Sequence, residues 1–153
     1  PWARITRMAA WQRVLDVNLT GIFLCCQAAM RVMRAQGSGR IINVGSLAGQ
    51  VGGFAAGANY SVSKAGVICL TKSLARALGG SGVTVNTINP GPVEGPMVDA
   101  WSPGQREIQL ERMPVGRFGR PEEIAAAAVF LASELAGYIH GAHLDVNGGL
   151  LMD

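Results

Sequence analysis

The chain has 153 residues, 49% of them hydrophobic and only 15% charged, with a formal net charge of +3. This length suits one domain with a real core, and a charged share well under the usual ~25% favours a buried parallel-sheet protein or a surface hidden by partners. The 11 arginines and 2 lysines are scattered; without a basic run interleaved with aromatics, or an apolar run of ~18 residues, nucleic-acid binding and a membrane span are both disfavoured.

In chain order, Trp11, Leu15, Asn18, Ile22, Cys26, Ala29 and Met33 recur at helical spacing, with Val14 and Cys25 thickening the stripe. The spacing predicts a helix from about Met8 to Gln36, stopped by Gly37-Ser38-Gly39. Arg40 to Val44 is a short apolar run, read as a buried strand, and a glycine-rich loop from Gly49 to Gly57 follows. A second helix is predicted from about Ala58 to Leu78, with Val67, Thr71, Leu74 and Leu78 in register. Val83 to Ile88 is β-branched and reads as a second strand, ending at Asn89-Pro90-Gly91-Pro92. Val93 to Gly119 reads as an excursion with one short helix. Pro121 opens a helix through Ile124, Ala128 and Leu131, and His143 to Val146 is a third short strand before Asn147-Gly148-Gly149. This alternation predicts an α/β fold, a parallel sheet with crossover helices.

Cys25, Cys26 and Cys69 form neither a disulfide framework nor a zinc knuckle. They read as small apolar core residues in a reducing cytosol, and no secretion signal is visible. His140 and His143 have no partners at metal-ligand spacing and read as structural, so no metal is expected.

Ligands of open α/β sheets sit beyond the carboxyl ends of the strands. Here those ends carry Gly45-Ser46 and Asn89-Pro90-Gly91. Tyr60 and Lys64 are four residues apart, on one helix face near its start. A lysine ammonium and a helix N-terminus both favour a phenolate, and a phenol of lowered pKa trades protons with an alcohol or carbonyl. Ser46 would hold the same oxygen by a hydrogen bond. By itself the pair reads more readily as a packed tyrosine beside a solvated lysine. Asn18 sits on the apolar, inward face of its helix, where an amide needs partners for both donor and acceptor; taken alone, it is as readily a structural asparagine.

The order of the motifs carries more than any one of them. The chain reads Val17-Asn18-Leu19-Thr20-Gly21, then Gly39-Arg40-Ile41-Ile42-Asn43-Val44-Gly45-Ser46, then Tyr60-x-x-x-Lys64, then Asn89-Pro90-Gly91-Pro92, then Gly116-Arg117-Phe118-Gly119-Arg120-Pro121-Glu122-Glu123. From about Trp11 to Gly149 this resembles the short-chain dehydrogenase/reductase family, and most of all its 3-oxoacyl-acyl-carrier-protein reductase branch. The resemblance implies hydride transfer between NADP or NAD and a small carbonyl or alcohol. It implies Tyr60 as acid/base, Lys64 as its cationic partner and a ligand of the nicotinamide ribose, Ser46 as the group orienting the substrate oxygen, and Asn18 as the holder of a relay water. Pro90, Gly91 and Val93 would line the nicotinamide. In the segment from Glu94 to Gly116, Met97, Trp101 and Met113 are candidate substrate contacts, equally readable as loop packing.

The resemblance also implies a Rossmann-type doubly wound sheet, of which residues 1–153 would form one partial domain, the C-terminal three-fifths. No Thr-Gly-x-x-x-Gly-x-Gly phosphate loop precedes Asn18, so the strand at Ile41 is expected to have an open edge, and the chain alone is expected to transfer no hydride. Family members associate through helices matching 8–36 and 58–78, so a cytoplasmic homo-oligomer, dimer or tetramer, is expected. The competing readings are a catalytically inactive product acting through those surfaces and a remnant without function. The usual Pro-Gly-x-x-x-Thr reads Pro90-Gly91-Pro92-Val93-Glu94-Gly95 here, without the threonine.

Overall fold

The computed structural model describes residues 7–53 and 56–152. The predicted first helix runs between its expected ends in three pieces: α1 (Met8–Leu15), one wide π-helical turn (Asp16–Thr20) and α2 (Gly21–Gln36). Asn18 stands in the middle of the π turn. Gly37, at φ 72°, closes α2 in a left-handed conformation that costs glycine nothing. The elements that follow are β1 (Gly39–Val44), the one-turn α3 (Ala48–Val51), α4 (Ala58–Ala77), β2 (Val83–Pro90), α5 (Pro96–Asp99), α6 (Pro103–Glu111), α7 (Pro121–Ala132), a 3-10 turn (Glu134–Ala136) and β3 (His143–Val146).

The three strands are parallel, in the order β1-β2-β3. Gly39 to Val44 pair with Val83 to Ile88, and Thr87 to Pro90 pair with His143 to Val146. Among the described residues the outer edge of β1 is open, as expected. Adjacent parallel strands need a crossover, and α4 supplies it between β1 and β2, α7 between β2 and β3. Strand side chains alternate, so each face of the sheet acquires its own core. On one face Ile41, Val83 and Val85 pack with Cys26 of α2 and with Leu74, Ala75 and Leu78 near the end of α4. On the other, Ile42, Ile88 and Val146 meet Ile124, Ala127, Ala128 and Leu131 of α7. Val67 and Val85 are fully buried, each contributing roughly 1.5–3 kcal/mol.

The central strand β2 is buried along nearly its whole length yet carries four polar side chains. Most are satisfied internally. Asn86 donates to the Ile139 carbonyl and accepts from the Ala142 N–H. Cys26 Sγ donates to Asn43, Asn43 donates to Thr71, and Thr87 donates to Thr71, a chain linking α2, β1, α4 and β2. Burial pushes the Cys26 thiol up, which keeps it a neutral donor. His140 also bonds two elements: Nδ1 accepts from Val85 N–H, so Nε2 carries the proton that reaches the Ala75 carbonyl.

Four expectations need correction. Gln50 and its neighbours form a helical turn inside the predicted glycine-rich loop. The excursion contains two helices, α5 and α6, because Ser102 and Gln105 build a reciprocal capping box at the start of α6. Cys25 and Cys69 are exposed, and only Cys26 joins the core; Cys25, one residue along, is rotated by about 100° onto the outer face. Asn18 is half-buried, not buried, since the π turn is covered by α4 on one side alone.

Candidate active site

Tyr60 is the third residue of α4, at its electropositive end. Two side chains fix this turn: Asn59 Oδ1 accepts the Tyr60 N–H at 2.9 Å, and Ser63 Oγ donates to the Tyr60 carbonyl at 2.7 Å. Asn18 Nδ2 donates to the same Ser63 Oγ at 3.2 Å, and Asn59 Nδ2 reaches the Ala10 carbonyl. The long first helix thus holds the start of α4 at two points. Lys64 Nζ donates to the carbonyl of Val44, the last residue of β1, at 2.9 Å and stands 5.7 Å from the Tyr60 ring centroid. Burial lowers the pKa of Lys64, because its charged form loses hydration.

Ser46 stands two residues past the end of β1, after Gly45. Its hydroxyl accepts the Ala48 N–H at 3.1 Å. The turn that carries it is too short to stand alone, and neighbours on three sides fix it. Leu47 N–H donates to the Pro90 carbonyl. Gln50 Nε2 donates to Asp145 Oδ1 of β3 at 2.6 Å. Gly49 lies flat on the backbone of α4, where an added Cβ would come within 2.7 Å of Lys64 C and Ala65 N. Glycine at 49 is what lets the Ser46 turn approach the Tyr60–Lys64 helix.

The Pro90-Gly91 turn is held with equal economy. Gly91 N–H donates to the Val146 carbonyl, and a Cβ at Gly91 would press on Asn147. Val93 forms an isolated parallel bridge with Gly119, in which Pro92 O and Glu94 N–H make the bonds. The alternation of extended backbone turns the N–H and C=O of Val93 itself the other way.

These pieces meet around one cavity of about 670 Å³ beyond the carboxyl ends of β1 and β2. Ser46, Tyr60, Pro90, Gly91, Val93, Met97 and Trp101 all line it. Lys64 and Asn18 do not line it: Lys64 lies beside the Tyr60 ring, and Asn18 is bonded to Ser63. The other walls are largely apolar, among them Leu47, Val51, Val98 and Ala125. Trp101 is held edge-on to Phe118, with centroids 6.0 Å apart, in a small cluster with Val98 and Met113. Met113, readable equally as a substrate contact or as loop packing, is buried in that cluster and does not line the cavity, so it packs the loop. It closes α6 and packs beneath Gly148.

The nicotinamide end of a dinucleotide fits this site. The Val93 amide faces away from its bridge, and Tyr60, Ser46 and the Pro90-Gly91 turn line the same cavity. For the pyrophosphate the sequence contains no glycine-rich Thr-Gly-x-x-x-Gly-x-Gly motif. Among the described residues no cluster of His, Cys, Asp and Glu can hold a metal ion, and no helix is long and apolar enough to cross a membrane. Sequence reasoning missed Gly49, Gln50, Ser63 and Asp145. Only Ser63 had a local signal, one residue before Lys64 on the inward side of α4.

Comparison with known proteins gives a consistent result. A family model described as enoyl-(acyl carrier protein) reductase matches residues 3–151. The chain is 49% identical over 142 residues to the 3-oxoacyl-(acyl-carrier-protein) reductase of Vibrio cholerae, covering 93% of this chain and 58% of the relative. It is 46% identical to the cis-4-hydroxycyclohexanecarboxylate dehydrogenase of Sinomonas cyclohexanicum, covering 93% and 57%. The crystal structure of a 3-oxoacyl-(acyl-carrier protein) reductase from Brucella melitensis superposes with a TM-score of 0.94 at 35% identity, over 97% of this chain and 56% of that one. The chain therefore spans under three-fifths of the length of these relatives.

Proposed function

The chain belongs to the short-chain dehydrogenase/reductase family, and on that premise we propose that it carries the catalytic portion of an NAD(P)-dependent oxidoreductase acting on a small carbonyl or alcohol. A 3-oxoacyl thioester is the first substrate to try, because relatives bearing that name match at 45–49% identity. The observation that carries the reading is the shared cavity: two hydroxyl-bearing residues, Ser46 and Tyr60, meet the Pro90–Val93 segment in a largely apolar pocket.

The nicotinamide would supply or accept the hydride. Ser46 Oγ holds the substrate oxygen, and Tyr60 Oη gives it a proton in reduction and removes one in oxidation. The Lys64 ammonium, fixed on the Val44 carbonyl, stabilises the charge that develops on the phenol oxygen. A water between Asn18 and Lys64 resupplies the proton. Met97 and Trp101 contact the substrate's apolar part, and the mouth of the cavity excludes bulk water once filled. Exposed Phe23, Leu24 and Val32 on α2 favour the helix at 8–36, together with 58–78, as the contact between subunits of a homo-oligomer.

The test is NADPH or NADH oxidation by the intact protein with acetoacetyl thioester and a panel of small ketones. Tyr60→Phe should lower turnover by roughly 10²- to 10⁴-fold while cofactor binding persists. Turnover by Tyr60→Phe equal to the parent would remove Tyr60 from the chemistry. A folded, cofactor-binding protein inactive on the whole panel would favour the inactive, association-only reading.

A further inference from the structure

Asp145 lies outside the cavity and is not among the residues that the chemistry above requires. Its Oδ1 nevertheless accepts two amides from two other elements: Gln50 Nε2 at 2.6 Å and Asn89 Nδ2 at 3.0 Å. Gln50 is four residues past Ser46, on the single turn α3. Asn89 is fully buried and immediately precedes Pro90. One carboxylate oxygen thus joins the serine turn, the end of β2 and β3.

A turn of four residues has no stability of its own. Its near end is fixed by the Leu47 N–H to the Pro90 carbonyl, and its middle rests on α4 through Gly49. The Gln50–Asp145 bond fixes its far end. Hydrogen bonds to an ionised carboxylate are about twice as strong as neutral ones, and Gln50 donates to the shorter of the two. Asn89 Oδ1 is left without a hydrogen-bond partner and packs against Gly45, directly before Ser46, where any Cβ would collide with it. Asn89 is held in that position by its own bond to Asp145. Both sides of Ser46 therefore depend on the same carboxylate.

We infer that Asp145 is a positioning residue: through Gln50 and Asn89 it sets where the Ser46 hydroxyl stands relative to Tyr60 and to the Pro90–Gly91 turn. Its catalytic consequence rests on the oxidoreductase reading; its mechanical consequence does not.

Both are read in the intact protein expressed from its own gene. Gln50→Ala and Asp145→Ala should each speed hydrogen exchange at the Gly49, Gln50 and Val51 amides by about tenfold or more, with the amides of β2 unchanged. Each should lower kcat by about tenfold with little change in cofactor KM, since small displacements of a catalytic group act on the chemical step. The double variant should fall no further than the worse single one, and Asp145→Asn, which keeps an acceptor without the charge, should lie between. Unchanged exchange at the turn, or losses of kcat that multiply in the double variant, would overturn the inference. Should Asp145→Ala fail to fold, Gln50→Ala, which removes only the outer partner, decides alone. If the parent protein transfers no hydride, faster exchange still supports the clamp and only the oxidoreductase reading is lost.

Discussion

Replacing Gly49 by alanine tests the close approach on which the site depends. The added methyl would come within 2.7 Å of Lys64 C and Ala65 N, where ordinary contact begins at 3.4 Å. Both atoms belong to the backbone of α4, so neither can swing aside, and the serine turn must retreat by about 0.7 Å. Gly49 has no left-handed φ, so the effect is one of packing and not of backbone strain. Overpacking of this kind costs about 1–3 kcal/mol of stability. A misplacement of 1 Å costs about 10²-fold in rate, so this displacement should lower kcat by about 10- to 100-fold, or ~1.4–2.7 kcal/mol of activation energy. The assay is steady-state reduction followed by nicotinamide absorbance, with urea unfolding in parallel. Gly104→Ala is the control: it sits in the first turn of α6 with nothing within 4 Å of the new methyl, and should leave kcat unchanged while gaining a few tenths of a kcal/mol. A Gly49→Ala protein that keeps kcat within twofold of the parent would refute the claim that Gly49 sets the distance between the Ser46 turn and α4.

Three further outcomes follow from the packing and the charges. Thr71→Val leaves Asn43 Nδ2 and the Thr87 hydroxyl without their shared partner inside the core; equilibrium urea unfolding should show a loss of about 2–3 kcal/mol. Leu131→Ala empties a side chain that is 1% exposed between α7 and the sheet, and the same measurement should show about 2–5 kcal/mol lost. Arg117 and the Arg120 N–H hold the Glu123 carboxyl down from its ordinary 4.5 to about 2. The unfolded chain therefore takes up this proton first, so the stabilisation is present above pH ~4.5 and is lost as pH falls towards 2. Glu123→Gln should flatten that part of the stability–pH curve, and an unchanged curve would mean that the pair contributes nothing.

Much of this molecule is legible along the chain. Periodicity gives the long helix its ends at Met8 and Gln36, since a 3.6-residue stripe and a closing glycine are both local signals. His143–Val146 is read without error because the Asn147-Gly148-Gly149 that follows it is a strong stop signal. The extra turns were hidden for a different reason: α3 lies in a stretch whose glycines signal a loop, and its helical form is imposed by contacts with Pro90, Lys64 and Asp145. The resemblance names Tyr60, Lys64, Ser46 and Asn18, and the folded chain places all four around the start of α4.

The sequence by itself determined the parallel α/β class and the order of its elements, because these follow from local pattern; it was the resemblance, and not the pattern, that singled out Tyr60, Lys64, Ser46 and Asn18. Only the tertiary structure decided which residues hold those groups in place. Gln50 and Asp145 are 95 positions apart, and Asn18 and Ser63 are 45 apart. No local rule links such residues. Gln50 and Asp145 meet because the parallel sheet brings the carboxyl ends of distant strands to one rim, where a glycine at 49 lets two backbones touch; Asn18 and Ser63 meet because the π turn packs on α4, with Leu19 seated on Gly66.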